Sequence, residues 1–368
     1  MTIAILYREE LKEYDFGPGH PFRGDRYEVF PEFLRENLSE DDYRIFESDW
    51  ASDEDLALIC EKEYIDFTRG YYKAANLGLS YPGTLYQFQS TDNIPVGRPG
   101  KLEEAARLII GQARMACDLT QAGEFKKVVS IGGGMHHAKP VYGEGFCLYN
   151  DVAFCGLYLK QKYHLKRILI LDTDAHAGNG TSDYFYRDPE VLFIDLHQDP
   201  RTLYPGTGFA NQVGAGEGKG FNINVPMPVG ANYDCYQLVF ESIVEPVTGE
   251  FKPQIIIRNG GSDPHFSDGL TNLGLPVKGF WMIGDRARRM ANVCDGKVID
   301  LIGSGYNKEV LPYGWLALIT GLAGIEMEIK EPEPIPEKFR VDPSLEETKK
   351  VVEEVKKYQK EYWKCLMP

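Results

Sequence analysis

The chain of 368 residues has no apolar run approaching the roughly 20 residues that a membrane-spanning helix needs, so no membrane partner is expected. It contains no CxxC pair, and its seven cysteines are an odd number, which speaks against a disulfide framework and for a reducing compartment. A basic stripe is also missing. Forty Lys and Arg against 55 Asp and Glu leave a formal charge of −15, which speaks against a phosphate-backbone partner such as nucleic acid. The opening MTIAILYREELKEYD brings acidic residues within a dozen positions and predicts no signal peptide, so the expected location is the cytoplasm. No internal repeat is present.

Short β-branched runs recur instead, at Ile3–Leu6, Val128–Ile131, Arg167–Leu171, Val191–Asp195, Phe221–Val225, Gln254–Arg258, Gly279–Ile283 and Val298–Ile302. They are mostly apolar on both faces, as strands of a helix-covered parallel sheet are. Between them Lys101–Leu119, Ala231–Ile243 and Lys308–Leu322 have helical spacing. The alternation predicts an α/β fold, a largely parallel sheet of eight strands with helices on both faces, in one domain over residues 1–328. Residues 329–342, IKEPEPIPEKFRVD, read as a proline- and charge-rich strap, and Ser344–Trp363 as a closing helix on the same domain (329–368). That C-terminal segment carries no visible chemistry.

The loops at the ends of these strands are more informative. GGGMHHAKPVYGEGFCLYND comes after Ile131, DTDAHAGNG after Leu171 and LHQDPRTLYPGTG after Asp195. NGGSDPHFSDG comes after Arg258, and GSGYN after Ile302. Glycine-rich loops bearing His, Asp and Tyr thus sit at five carboxyl strand ends, the rim where open α/β sheets bind ligands.

If the strand ending in LILDTDAH stays extended, Asp172, Asp174 and His176 share a face, with Asp172 and His176 on the order of 13 Å apart at Cα. All three cannot easily reach one ion, but Asp174 and His176 can. Asp263, in NGGSDPH, is the best third ligand. One imidazole and two carboxylates with a position left for water suit a catalytic zinc, and so oxygen-rich a set also suits Fe(II). Asp172 is better used to orient a histidine from a neighbouring loop. Adjacent His136 and His137 after a triple glycine can move a proton between water and a leaving amine. Tyr306 can donate to a developing oxyanion. Together these parts describe metal-assisted hydrolysis of an amide or ester.

The stretches YDFGPGHPFRGDR (14–26), GGGMHHAKPVYGEGFCLYND (132–151), DTDAHAGNGT (172–181), LHQDPRTLYPGTG (196–208), GGSDPHFSDGL (260–270) and GSGYN (303–307) occur in the order found in the histone deacetylase superfamily. The chain resembles in particular its prokaryotic acetoin-utilisation proteins and acetylpolyamine amidohydrolases. The resemblance spans about 300 residues and implies the arginase-deacetylase fold. It implies Asp174, His176 and Asp263 as metal ligands, His137 as general base and acid, and His136 as its electrostatic partner. Asp172 and Asn179 match the acceptors for His136 and His137, and Tyr306 the residue that polarises the substrate carbonyl. Phe146 and Tyr204 match the walls of an acyl-lysine tunnel, with Gly145 beside Phe146. Asp92 matches, loosely, the rim aspartate that accepts from substrate backbone. A potassium ion held by backbone carbonyls around Asp172, Asp174 and His176 is a further family property.

Two positions depart from the pattern. A second histidine usually comes directly after the ligand histidine, and here Ala177 stands there; by alternation it points away from the metal, so altered loop packing is expected rather than lost chemistry. Asn179 often is Asp, and Asn stabilises an imidazolium less. An arginase-type ureohydrolase shares the fold but typically has Asp two residues after the DxH histidine, where this chain has Gly178. A non-catalytic reader of acylated ligands should have lost a ligand, the dyad or the tyrosine, and all are present. The substrates that fit are acyl-lysine or an acylated small molecule such as an acetylpolyamine, and a homo-oligomer is compatible with the family.

Overall fold

The protein, described here from a computed structural model covering residues 2–79, 85–340 and 344–367, is built on one parallel eight-stranded sheet. In chain order the strands are β1 (Ile3–Leu6), β2 (Tyr43–Phe46), β3 (Lys127–Ile131), β4 (Ile168–Asp172), β5 (Val191–Gln198), β6 (Asn222–Met227), β7 (Ile255–Asn259) and β8 (Val298–Ile302). Their order in the sheet is β2-β1-β3-β8-β7-β4-β5-β6. By contacts the chain divides into two compact units, Thr2–His164 with Leu301–Gly303, and Leu165–Asp300 with Ser304–Pro368. Among the described residues no helix is long and apolar enough to cross a membrane.

Seven of the expected strands are present within a few residues, and the eighth is a correction. Gly279–Ile283 lies inside the helix Val277–Met290, and the missing strand is β2 at the sheet edge. A short apolar run cannot by itself distinguish a buried strand from a buried helix turn. Here the helix packs so closely on Leu311–Ala323 that no side chain fits between their backbones. A Cβ on Gly284 would lie 2.3 Å from Leu318 O, and one on Gly321 would lie 2.1 Å from Trp281 O. Strand β2 is hard to recognise because Arg44 and Ile45 are exposed, so it shows no continuous apolar run.

In the second unit β4 pairs with both β5 and β7, which sets Asp172 level with Asp195 on one side and Asn259 on the other. The first four residues of β4 are wholly buried, each contributing about 1.5–3 kcal/mol of hydrophobic stabilisation. That gain lets the strand end on buried polar groups, provided each is hydrogen-bonded. One further buried pair is new with the structure. Arg258 of β7 and Asp300 of β8 form an ion pair with almost no exposure, and Arg258 Nη1 also reaches Thr173 Oγ1 at 3.4 Å. A lone Arg in IIIRN and a lone Asp in VIDLI are its signals in the sequence.

The closing helix runs over Ser344–Gln359 and packs on β6 in the same unit. Gln359 Nε2 donates to Asn222 O at 2.9 Å, and Trp363 Nε1 to Gly220 O at 2.8 Å. The last two residues of the strap stretch, 341 and 342, lie outside the described residues.

Candidate active site

In the second unit, β4 ends at Asp172, and the chain does not stay extended beyond it, so the shared-face picture needs correcting. Asp172 Oδ1 accepts from the backbone N of Asp174 at 3.1 Å, and Asp174 Oδ1 accepts from the backbone N of His176 at 2.8 Å. These two aspartate-capped turns succeed each other because short carboxylates compete well for nearby backbone donors. They fold the loop so that His176 Nδ1 lies 3.1 Å from Asp174 Oδ1. The other oxygen of Asp172 accepts from Asn259 Nδ2 at 2.9 Å, which satisfies a carboxylate with no solvent exposure.

Asp263 arrives in the loop after β7, with its Oδ2 3.1 Å from His176 Nδ1. Ser304 Oγ donates to its Oδ1 at 2.8 Å, and the backbone N of Ala175 to its Oδ2 at 3.2 Å. Asp174, His176 and Asp263 thus offer three ligand atoms within 4.8 Å of one another. Burial and the charge of Asp174 push the Asp263 carboxyl up to about 8. Desolvation would lower the His176 imidazole, but its bonds to Asp174 and Asp263 and their charge outweigh that and raise it to about 10. Three donors that compete for protons in a buried space fit a divalent cation, which would replace those protons.

The Tyr306 ring stands edge-on to His176, at 85° with centroids 6.5 Å apart. Its backbone N donates to Asp268 Oδ2 at 2.8 Å. Sequence reasoning misses Asp268, although its spacing from Asp263 in the same loop is a usable signal. Tyr204 is 40% exposed on the loop after β5. Asn179 opens the short helix Asn179–Phe185. With Ala177, Ser182, Asp195, Gly208 and Asn224 it lines a cavity of about 230 Å³. Ala177 is buried there, and Asp195 holds the loop by accepting from the backbone N of Gly178 at 2.9 Å while pairing with His197 Nδ1 at 2.9 Å.

In the first unit, the triple glycine after β3 turns around Asp151. That carboxylate accepts from the backbone N of Gly134 at 2.9 Å and of Met135 at 2.7 Å. Burial pushes Asp151 up to about 6. A Cβ on Gly133 would lie 2.7 Å from the same carboxylate, so the glycine is required for this wrap. The turn delivers His136 and His137 as a buried pair, with their Nε2 atoms 3.1 Å apart and ring centroids at 4.1 Å.

Gly145 and Phe146 both adopt left-handed backbone, with φ of 59° and 65°. A Cβ on Gly145 would fall 2.2 Å from His137 Cδ2, so only glycine lets this loop lie against the imidazole. Phe146 is held in its unusual conformation by Tyr14, whose hydroxyl donates to Phe146 O at 2.7 Å, and by rings on several sides. His20 lies 4.8 Å away, and Phe16 and Phe22 each 6.3 Å. Asp92 Oδ2 accepts from the backbone N of Gly145 at 3.1 Å, and burial raises its carboxyl. Both oxygens of the expected rim aspartate are therefore engaged, Oδ2 in fixing the Gly145–Phe146 turn and Oδ1 in accepting from Ser90 Oγ. The cluster of Tyr14, Phe16, His20 and Phe22 falls within the YDFGPGHPFRGDR stretch, where its aromatic spacing is visible.

The histone deacetylase domain matches residues 20–322, and the chain belongs to the histone deacetylase family. Among its relatives is a probable deacetylase of Archaeoglobus fulgidus, 37% identical over the full length of both chains. The acetoin utilization protein AcuC of Staphylococcus xylosus is 32% identical, covering 88% of this chain and 83% of that one. AcuC of Bacillus subtilis is also 32% identical, over 88% and 82%. The fold matches the crystal structure of the HDA15 HD domain with a TM-score of 0.82, over 99% of this chain and 97% of that one, at 24% identity.

Proposed function

We propose that this chain is a zinc-type metal-dependent deacylase of the cytoplasm that hydrolyses N-acetyl or N-acyl amides of acyl-lysine or acylpolyamine type. The observation that carries the reading is the convergence of Asp174 Oδ1, His176 Nδ1 and Asp263 Oδ2, with the Tyr306 ring against the imidazole. Asp174, His176 and Asp263 would hold the cation, zinc or Fe(II), which when bound polarises an amide carbonyl and acidifies a water. His137 removes a proton from the attacking water and returns it to the leaving amine, and His136 shares the charge that develops. The family resemblance assigns Asp172 and Asn179 as the acceptors for the two imidazoles and Tyr306 as the hydroxyl that donates to the carbonyl oxygen as it becomes an oxyanion. Phe146 and Tyr204 flank the aliphatic part of the substrate, with Asp92 at the entrance. The charge of −15 favours approach of cationic substrates at low salt.

Turnover of acetyl-lysine peptides, acetylputrescine and longer acyl-lysines is expected to vanish on chelation and to return with zinc or Fe(II). A protein equally active after complete metal removal would overturn the reading. Gly145→Ala tests the histidine pair. The new methyl must displace the His137 ring, and misplacing a catalytic group by about 1 Å can cost about 100-fold in rate. We expect kcat/KM to fall by about that factor while the protein still folds, checked by kinetics beside a thermal melt. Unchanged kinetics would remove His137 from the reaction.

A further inference from the structure

The strap, to which composition assigns no chemistry, turns two of its acids inward. Glu331 Oε1 lies 2.9 Å from His265 Nε2, and Oε2 accepts from the backbone N of Val277 at 2.8 Å, the start of a helix. His265 is fully buried, and its Nδ1 accepts the backbone N–H of Ser267 at 3.2 Å, so the ring proton sits on Nε2 and is donated to Glu331. Ser267 Oγ lies 2.9 Å from the same Nδ1 and accepts from Asn307 Nδ2 at 2.9 Å. Asn307 Nδ2 is also 3.0 Å from Glu333 Oε1. Between these points the backbone N of Asp268 donates to His265 O at 3.0 Å, and Asp268 Oδ2 holds the backbone N of Tyr306.

We infer that Glu331 and Glu333 make the strap a positioning element for Tyr306, an inference that rests on the proposed role of that hydroxyl. Tyr306 lies in GSGYN, whose Gly305 has a φ of 130° and whose sequence gives the loop little stiffness of its own. The neighbouring Asn307 is tied to the strap directly by Glu333 and through Ser267 and His265 by Glu331. Tyr306 itself is tied to the same loop through Asp268. Removing a strap acid frees one edge of this network without touching a group that meets substrate.

Glu333→Ala and Glu333→Gln in the full zinc-loaded chain test this. Glutamine keeps a carbonyl acceptor for Asn307. Glu333→Ala is expected to lower kcat about five- to tenfold, the scale of one lost hydrogen bond, with KM unchanged, and Glu333→Gln to restore it. In a Tyr306→Phe background Glu333→Ala should cause no further loss, since both changes act through one hydroxyl. Backbone amide exchange in the segment 304–309 should quicken in Glu333→Ala and not in Glu333→Gln. An unchanged kcat, or a loss that persists in full in the Tyr306→Phe background, overturns the inference. A wild-type protein that hydrolyses no acyl amide would instead sink the deacylase reading, and unchanged amide exchange would then still decide against the strap.

Discussion

Tyr306→Phe is expected to lower kcat by about 100- to 1,000-fold, the usual cost of removing one oxyanion donor, while leaving KM and metal content close to those of the unaltered protein. Such a split stems from how the residue is held. Its position depends on the Asp268 carboxylate at its backbone N, and its ring packs edge-on to His176; neither contact uses the hydroxyl. Phenylalanine therefore keeps the loop and the ring contact and removes one donor. In the proposed role that donor acts as negative charge develops on the substrate oxygen, so its loss should fall on the transition state. Steady-state kinetics on an acetyl-lysine peptide, with metal quantified on the same preparation, make the check. A variant with near-normal kcat would exclude Tyr306 from the oxyanion role. One that loses its metal would show that the residue shapes the ligand cluster instead.

Much of the fold is legible in the chain because buried parallel strands write themselves as unbroken apolar runs. Residues 168–171 and 191–194 are wholly buried or nearly so, leaving no polar positions to blur the pattern. The candidate ligand residues stand out for the same reason, as charged groups where an apolar run ends. Their geometry is less legible. Alternation along an extended strand predicts one face, whereas the aspartates at 172 and 174 capture backbone donors two residues ahead and fold the loop. Gly279–Ile283 reads as a strand because helix–helix contact through Gly284 and Gly321 makes that part of the helix as apolar as one. Glu331 and Glu333 are illegible in principle. An acid in a proline-rich stretch usually marks a solvated surface, and only the tertiary partners at His265 and Asn307 distinguish these two.

Asp263→Asn should move two observables in opposite directions. In the metal-free protein Asp263 is fully buried beside Asp174, and burial together with that neighbouring charge makes its ionised form costly. Asparagine is nearly isosteric, keeps an oxygen for Ala175 N or Ser304 Oγ, and carries no charge, so the metal-free variant should melt no lower than the unaltered protein. Toward a divalent cation the same change removes an anionic donor from a set of three. Changes merely adjacent to metal ligands already cost about 10–100-fold in affinity, so loss of the ligand itself should reach at least the upper figure. At a zinc concentration about 100 times the unaltered Kd, binding stabilises the folded state by about 2.7 kcal/mol, and a 100-fold weaker site by only about 0.4 kcal/mol. The zinc-induced rise in Tm should therefore nearly disappear. Protons should accompany the difference. Burial and the neighbouring Asp174 raise Asp263, and the two carboxylates raise His176, which keeps protons on the metal-free cluster, so zinc uptake at neutral pH should release protons and tighten as the pH rises. Melting curves with and without zinc, together with proton release in weak buffer, measure both effects. A variant whose Tm rises with zinc as much as the unaltered protein's would remove Asp263 from the ligand set and leave Asp174 and His176 to find their third partner elsewhere.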